Sequence, residues 1–303
     1  MVPPERSARR PIDPAALAQV LRRLQRAPSA PWLHGEVARR MAERLAVIRL
    51  QPEIAIDWGA FLGASRALLM AAYPQARVLA VETDPARRDA TLAALAAPWW
   101  SPRRWAERPA VVVTEVELGA GQGQLLWSNM GLHGAVDPQA VMAAWHRSLQ
   151  PGGFLMFSTL GPGSLEGLRS LYGARGWPPP HAPFVDMHDL GDMLVAAGFA
   201  DPVMDQETVT LTWPSGAALL AELRQLGANV DPRRFAGLRT PRWRRRLAEA
   251  LEAQAGADGR PRLAFEVVYG HAFRVAPRPR VAAETAVAVD DMRAMVRAGR
   301  RRT

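Results

Sequence analysis

Glu53-Ile-Ala-Ile-Asp-Trp-Gly-Ala-Phe-Leu-Gly-Ala-Ser65 is the stretch on which the fold turns. An apolar run, Ile54 to Ile56, meets a carboxylate at Asp57 and then glycines at Gly59 and Gly63. The helix formers Arg66-Ala-Leu-Leu-Met-Ala-Ala72 follow at once. This order reads as a buried parallel strand, a tight glycine turn and a helix whose free N–H groups face the turn. At the carboxyl end of an open sheet, that arrangement receives a nucleotide-like ligand. Phe61 stands midway between the two glycines, where a close backbone approach would favour a third.

Outward from this stretch the pattern repeats. Arg77 to Glu82 is a second apolar strand ending in a carboxylate, and Pro85 opens a helix over Ala86 to Ala97. Ala110 to Val116 and Gln124 to Ser128 read as the third and fourth strands, separated only by the Gly-rich 117–123. Asp137 caps a helix through Leu149, and Pro151-Gly-Gly153 turns into a fifth strand, Phe154 to Ser158. Helices are predicted over Ser164 to Tyr172, Leu190 to Ala197, Ala217 to Leu226 and Trp243 to Ala253. Late strands are predicted over Val203 to Trp213 and Arg262 to Val275. Before the opening strand, Ala15 to Leu24 and Gly35 to Leu50 are amphipathic, with Val37, Met41, Leu45 and Ile48 at helical spacing.

This succession predicts an α/β protein: a doubly wound parallel sheet with an antiparallel late strand, N-terminal helices and a helical cap within about 160–255. The Pro- and Arg-rich residues 1–12 are expected to be disordered, 13–275 to form the domain, and 276–303 to be a basic flexible tail. Pro98 to Pro109, with three tryptophans and three arginines, reads as a loop or an aromatic cover.

Composition removes several chemistries. Without cysteine there is no disulfide, thiol nucleophile or iron–sulfur ligand. Lysine is absent too, so all 38 basic residues are arginines; Schiff-base chemistry and a P-loop lysine are excluded. No apolar run reaches the length of a membrane span and Met1 to Arg6 lacks a signal-like apolar core, so cytoplasm is the expected location. The net charge of +9 favours acidic partners. Much of the excess lies in Arg233, Arg234, Arg239, Arg242, Arg244, Arg245 and Arg246, as either a solvated face or a docking patch.

Few residues are placed to carry chemistry. Glu82, at the end of the second strand, can accept both ribose hydroxyls of an adenosine or simply cap the next helix. His181, Asp186 and His188 match no common metal spacing, so no metal is expected. The ten tryptophans fall mostly at helix and strand positions and read as core rather than as a base-stacking platform.

The Gly turn plus Glu82 resembles the class I S-adenosylmethionine-dependent methyltransferases. Within them the chain resembles the malonyl-acyl-carrier-protein O-methyltransferases of biotin synthesis. The runs that carry this are Val37-Ala-Arg-Arg-Met-Ala-Glu-Arg-Leu45, Trp127-Ser-Asn-Met-Gly-Leu-His133, Leu149 to Pro162 and Asp186 to Phe199. The resemblance implies S-adenosyl-L-methionine as cofactor, with its methionine part over Asp57, Gly59 and Gly63 and its ribose on Glu82. It places Ser128 and Asn129 at the methyl-transfer edge and makes a carrier-bound acyl carboxylate the acceptor; His133 reads either as a neighbour of that acceptor or as a residue that only caps a turn. An acidic acyl carrier protein would then dock on Arg242, Arg244 and Arg245. The family has glycine where this chain has Phe61. Its adenine-binding turn is shortened here to Thr114 to Gly123, leaving Glu115 or Glu117 to substitute, and Trp32 is the aromatic available to close over the cofactor.

Two other functions compete. A non-catalytic binding or regulatory protein, one that has lost cofactor affinity, is suggested by Phe61 and the shortened turn. A nucleic-acid methyltransferase is suggested by charge alone and ranks last, because Ser128-Asn-Met-Gly131 is not a base-flipping turn.

Overall fold

The computed structural model describes residues 9–24, 26, 27, 29–83, 85–95 and 111–275. Seven strands form one sheet in the order β3-β2-β1-β4-β5-β7-β6. They are β1 (Ile54–Trp58), β2 (Arg77–Glu82), β3 (Val111–Thr114), β4 (Gly123–Ser128), β5 (Leu149–Leu160), β6 (Ala200–Thr212) and β7 (Arg262–Phe273). β1 to β5 are parallel, while β7 runs antiparallel to both β5 and β6. The expected doubly wound sheet with an antiparallel late strand is the observed one. Strand order reverses between β1 and β4, so the carboxyl ends of those strands frame a crevice.

Helices cover both faces. α1 (Pro14–Leu24), α2 (Trp32–Leu45), the single turn α3 (Ala60–Gly63), α4 (Arg66–Ala72) and α5 (Pro85–Leu95) precede β3. α6 (Pro138–Ser148), α7 (Glu166–Ala174), α8 (Met187–Ala196), α9 (Gly216–Leu226) and α10 (Pro241–Glu252) follow β4. One apolar layer joins α2 and α4 to the cap through Met41, Trp127, Phe154, Phe265 and Leu247. The other packs Trp145 of α6 and Leu190 of α8 on Ile56, Leu126 and Phe157. Trp58, Trp127, Trp145 and Trp213 are buried and Trp177 and Trp243 partly so, whereas Trp32 is exposed and Trp99, Trp100 and Trp105 lie outside the described residues. The edge strand β6 is largely exposed and carries Asp205 and Glu207, which pair with Arg44 and Arg40 of α2. Charges on an edge discourage pairing with another chain.

The cap is α7, α9 and α10, with α1 laid across it. Asp13 accepts the N–H groups of Ala15 and Ala16 and an ion pair from Arg234 at 2.7 Å, which pins the start of α1. Gly216 lets α9 meet α10, since a Cβ there would fall 2.3 Å from the Ala248 carbonyl oxygen.

The tight turn expected after β1 is Gly59 followed by a single helical turn, Ala60–Gly63. Two local expectations are corrected. β5 begins at Leu149 rather than Phe154, because the Pro151-Gly152-Gly153 irregularity lies within the strand. Residues 9–12, grouped by composition with a disordered terminus, pack into the domain, where Arg10 and Ile12 are buried. The expected aromatic loop at 98–109 and the basic tail at 276–303 lie outside the described residues.

Candidate active site

The carboxyl ends of β1, β2 and β4 open into a cavity of about 1080 Å³. Its floor includes Gly59, Phe61, Glu82, Ser128, Asn129 and His133. Its roof is apolar, with Leu17 and Leu21 of α1, Leu220 of α9 and Trp243 of α10. A space of this size and lining exceeds what one drug-sized ligand occupies, so a nucleoside and a second molecule can share it.

The glycine turn builds one wall. Gly59 has φ of 75°, a left-handed conformation that suits glycine, and its N–H donates to the Val81 carbonyl at 2.8 Å. The turn that follows aims the Phe61 N–H at Glu82 Oε1, 2.6 Å away. Thr91 Oγ1 donates to the same oxygen at 2.9 Å. Glu82 is therefore a buried carboxylate at the cavity wall, held by a backbone amide and a hydroxyl.

Asp57 and Gly63 lie beneath this turn rather than on the cavity wall. Asp57 is 1% exposed, and neither carboxylate oxygen has a hydrogen-bond partner. The nearby Ser65 hydroxyl donates instead to the Gly63 carbonyl at 2.9 Å. Burial first, and then the charge of Glu82, push the Asp57 carboxyl up to about 7, with Ser65 and Arg66 offsetting this in part. An orphaned buried carboxylate under a glycine turn fits a cationic or N–H-bearing ligand group settling above it.

The β4 turn is a polar hub. Asn129 Nδ2 donates to the Gly63 carbonyl at 2.7 Å and to the His34 carbonyl at 2.8 Å. Its Oδ1 accepts from Ser158 Oγ at 2.7 Å. Met130 follows with φ of 52°, a strained conformation for a side chain of that size, held by N–H contacts to Ser158. Asn129 thus ties α2, the glycine turn and β5 into one frame.

His133 sits on the 3₁₀ turn Leu132–Gly134, its ring 6.4 Å from His34 and 6.2 Å from Phe184, both edge-on. Burial, then His34 and Arg10, depress its pKa to about 3, so the ring is neutral. A neutral imidazole adds no cation beside an acceptor.

The remaining predicted residues separate. Arg244 reaches the cavity rim, while Arg242 and Arg245 are exposed on the outer side of α10. Glu115 lines the cavity, whereas Glu117 is exposed and pairs with Arg88 at 2.9 Å. Trp32 is 59% exposed and lines no part of the cavity. Asp186 caps α8 and accepts from His188, while His181 stacks on Phe184. No group of three potential metal ligands occurs among the described residues.

Sequence reasoning missed Arg10 and His34, which both line the cavity. For Arg10 a signal existed: Asp13-Pro14 is a capping pattern, and Ile12 and Leu17 flank it at hydrophobic-staple spacing. That pattern orders the chain up to Ile12 and brings Arg10 with it.

No family model matches the chain. Curated relatives do. The chain is 40% identical over 261 residues to a malonyl-[acyl-carrier protein] O-methyltransferase from Laribacter hongkongensis, covering 83% of this chain and 86% of the relative. It is 38% identical to the enzyme of the same name from Gallionella capsiferriformans, covering 88% and 93%. Among solved structures, a putative methyltransferase from Bacillus halodurans aligns with a TM-score of 0.53 at 12% identity, covering 80% of this chain and 100% of that one. The [4+2]-cyclase SpnF aligns with a TM-score of 0.51 at 14% identity, covering 88% and 99%. Those likenesses speak for the fold alone, and the cyclase shows that one fold hosts more than one chemistry. The curated kinship is closer and spans most of both partners: the chain belongs to the malonyl-[acyl-carrier protein] O-methyltransferases, within the class I S-adenosylmethionine-dependent methyltransferases.

Proposed function

We propose that this protein methylates the free carboxylate of a malonyl group carried on an acyl carrier protein, in the cytoplasm, as a step of biotin synthesis. The observation that carries this reading is the convergence of Gly59, Glu82, Asn129 and His133 on one cavity under an apolar cap, in a chain related to enzymes of that name. Bound S-adenosylmethionine supplies an activated methyl, which passes to a carboxylate oxygen as its carbon–sulfur bond breaks with the electron pair on sulfur, leaving a methyl ester and a thioether.

No proton moves in that exchange, so the chain need provide no base, and its residues bind, orient and exclude water. Glu82, buried at the cavity wall and fixed by the Phe61 amide and the Thr91 hydroxyl, is the carboxylate that meets the ribose hydroxyls. The Gly59 turn, with Asp57 and Gly63 beneath it, receives the amino acid end. Ser128 and Asn129 set the transfer edge, and Asn129 does so as a rigid hub, since its amide is committed to Gly63, His34 and Ser158. His133 lines the acceptor side as a neutral ring. The exposed arginines of α10, Arg242, Arg244 and Arg245, make no ion pair among the described residues and are free to meet an acidic carrier.

The test is methyl transfer itself. Purified protein incubated with malonyl carrier protein and methyl-labelled S-adenosylmethionine should place label on the carrier as a base-labile ester. No label on the malonyl carrier, with label on another acceptor or none, would remove this substrate.

A further inference from the structure

Arg10 is a cation buried without a counterion among the described residues. It is 8% exposed, and its backbone N–H donates to the Val136 carbonyl at 2.8 Å. Nη1 donates to the His133 carbonyl and Nη2 to the Pro183 carbonyl, the latter at 2.6 Å. Nε is buried and has no partner. The carboxylates on the cavity wall are Glu82, Glu115 and Asp137, and none pairs with Arg10 among the described residues. Burial lowers its pKa only to about 10, so the guanidinium stays charged at neutral pH.

A buried charge normally has a partner of opposite sign, because two carbonyl dipoles replace only part of its lost hydration. Here the carbonyls hold the guanidinium plane in place and leave the second hydrogen of each Nη for another acceptor, while Nε stays buried. Around it stand uncharged rings: His133, edge-on to His34 and Phe184, and His181, stacked on Phe184 at 5.0 Å. The His34 carbonyl accepts from Asn129, so this pocket adjoins the β4 edge. An oriented cation set among uncharged rings beside the transfer edge has the chemistry of a carboxylate receptor.

We propose that Arg10 binds the carboxylate of the acyl acceptor, holding one oxygen while the other faces the methyl donor. The proposal rests on the carboxylate-methylating function given above. It makes Arg10 the residue that tells acid from ester. The substrate carries the anion that Arg10 lacks; the methyl ester does not, so product is released from a site that no longer attracts it.

The experiment compares malonyl-pantetheine with its methyl ester, by calorimetry on the protein saturated with S-adenosylhomocysteine. The intact protein should bind the acid about tenfold tighter than the ester, or more. In Arg10→Met the two should bind alike, with the ester's affinity and the affinity for S-adenosylhomocysteine unchanged. Should that variant not fold, Arg10→Gln, which keeps an N–H donor for a carbonyl, is read the same way. An acid preference that survives either substitution, or no preference in the intact protein, overturns the role. So does a loss of both ligands together with a lowered melting temperature, which marks Arg10 as a structural strap. Absence of methyl transfer with the preference intact would instead fell the function and leave Arg10 as a carboxylate site.

Discussion

The Phe61 amide donates to Glu82 Oε1 at 2.6 Å, so the turn after β1 and the carboxylate ending β2 form one unit on one side of the crevice. The side chain of Phe61 stands on the cavity wall beside them. Phe61→Gly keeps the N–H but removes the ring and loosens the helical turn. It should tighten S-adenosylhomocysteine binding about threefold to tenfold at a cost of about 1 kcal/mol in stability. Calorimetry and a melting curve on the same samples read both. Equal or weaker binding would mean that the ring supports the ligand rather than crowding it.

Glu82→Gln takes the charge from two hydrogen bonds, those of the Phe61 N–H and the Thr91 hydroxyl. A loss of about 1–2 kcal/mol in stability is expected. Affinity for the cofactor should fall at least about tenfold if this carboxylate serves the ribose. A variant that melts lower yet binds normally would confine Glu82 to holding the turn.

Asp57 gives the protein a pH signature. Its carboxyl is raised from 3.8 to about 7 by burial and by Glu82, so the folded state holds a proton that the unfolded chain releases. Stability from this group is complete below pH 4, falls as pH rises from there, and levels off above about 7. Asp57→Asn should flatten that slope and raise the melting temperature more at pH 8 than at pH 5. Parallel melting curves for the two proteins across this range would contradict the buried, unpaired carboxylate.

Asn129→Ala should cost about 2–4 kcal/mol, because it leaves the Gly63 and His34 carbonyls short of a donor and Ser158 short of an acceptor. The loss should appear in denaturant unfolding without ligand, and turnover should fall further than stability alone explains.

Replacing Arg242, Arg244 and Arg245 together by alanine should weaken capture of an acidic carrier protein at least about tenfold at low salt, and much less at high salt. Methylation of malonyl-pantetheine, which lacks the carrier, should change little. Unchanged association with the carrier at low salt would end the docking assignment.

What was legible in the sequence was local. The strand ends Asp57 and Glu82, the cap at Asp137 and the late antiparallel strands each rest on residues a few positions apart, which periodicity captures. The missed features are long-range. The turn at Ala60–Gly63 is stabilised by a carboxylate 21 positions downstream. Arg10 is ordered by carbonyls 123 and 173 positions away, in a segment whose composition reads as disordered. Asn129 appears in sequence as one residue of a turn; its partners lie 29, 66 and 95 positions off, so its role as a hub exists only once the sheet is assembled.

The place of β7 has a consequence for synthesis. It is the last strand of the described chain, yet it is threaded between β5 and β6. On the ribosome, β5 keeps a bare edge while residues 161–261, which include the cap, emerge as one excursion. Only when Phe273 clears the exit tunnel does β5 gain its second neighbour and β6 its first. Until β7 is made, β5 thus has an unpaired edge through the whole synthesis of the cap, the kind of edge on which chains pair wrongly.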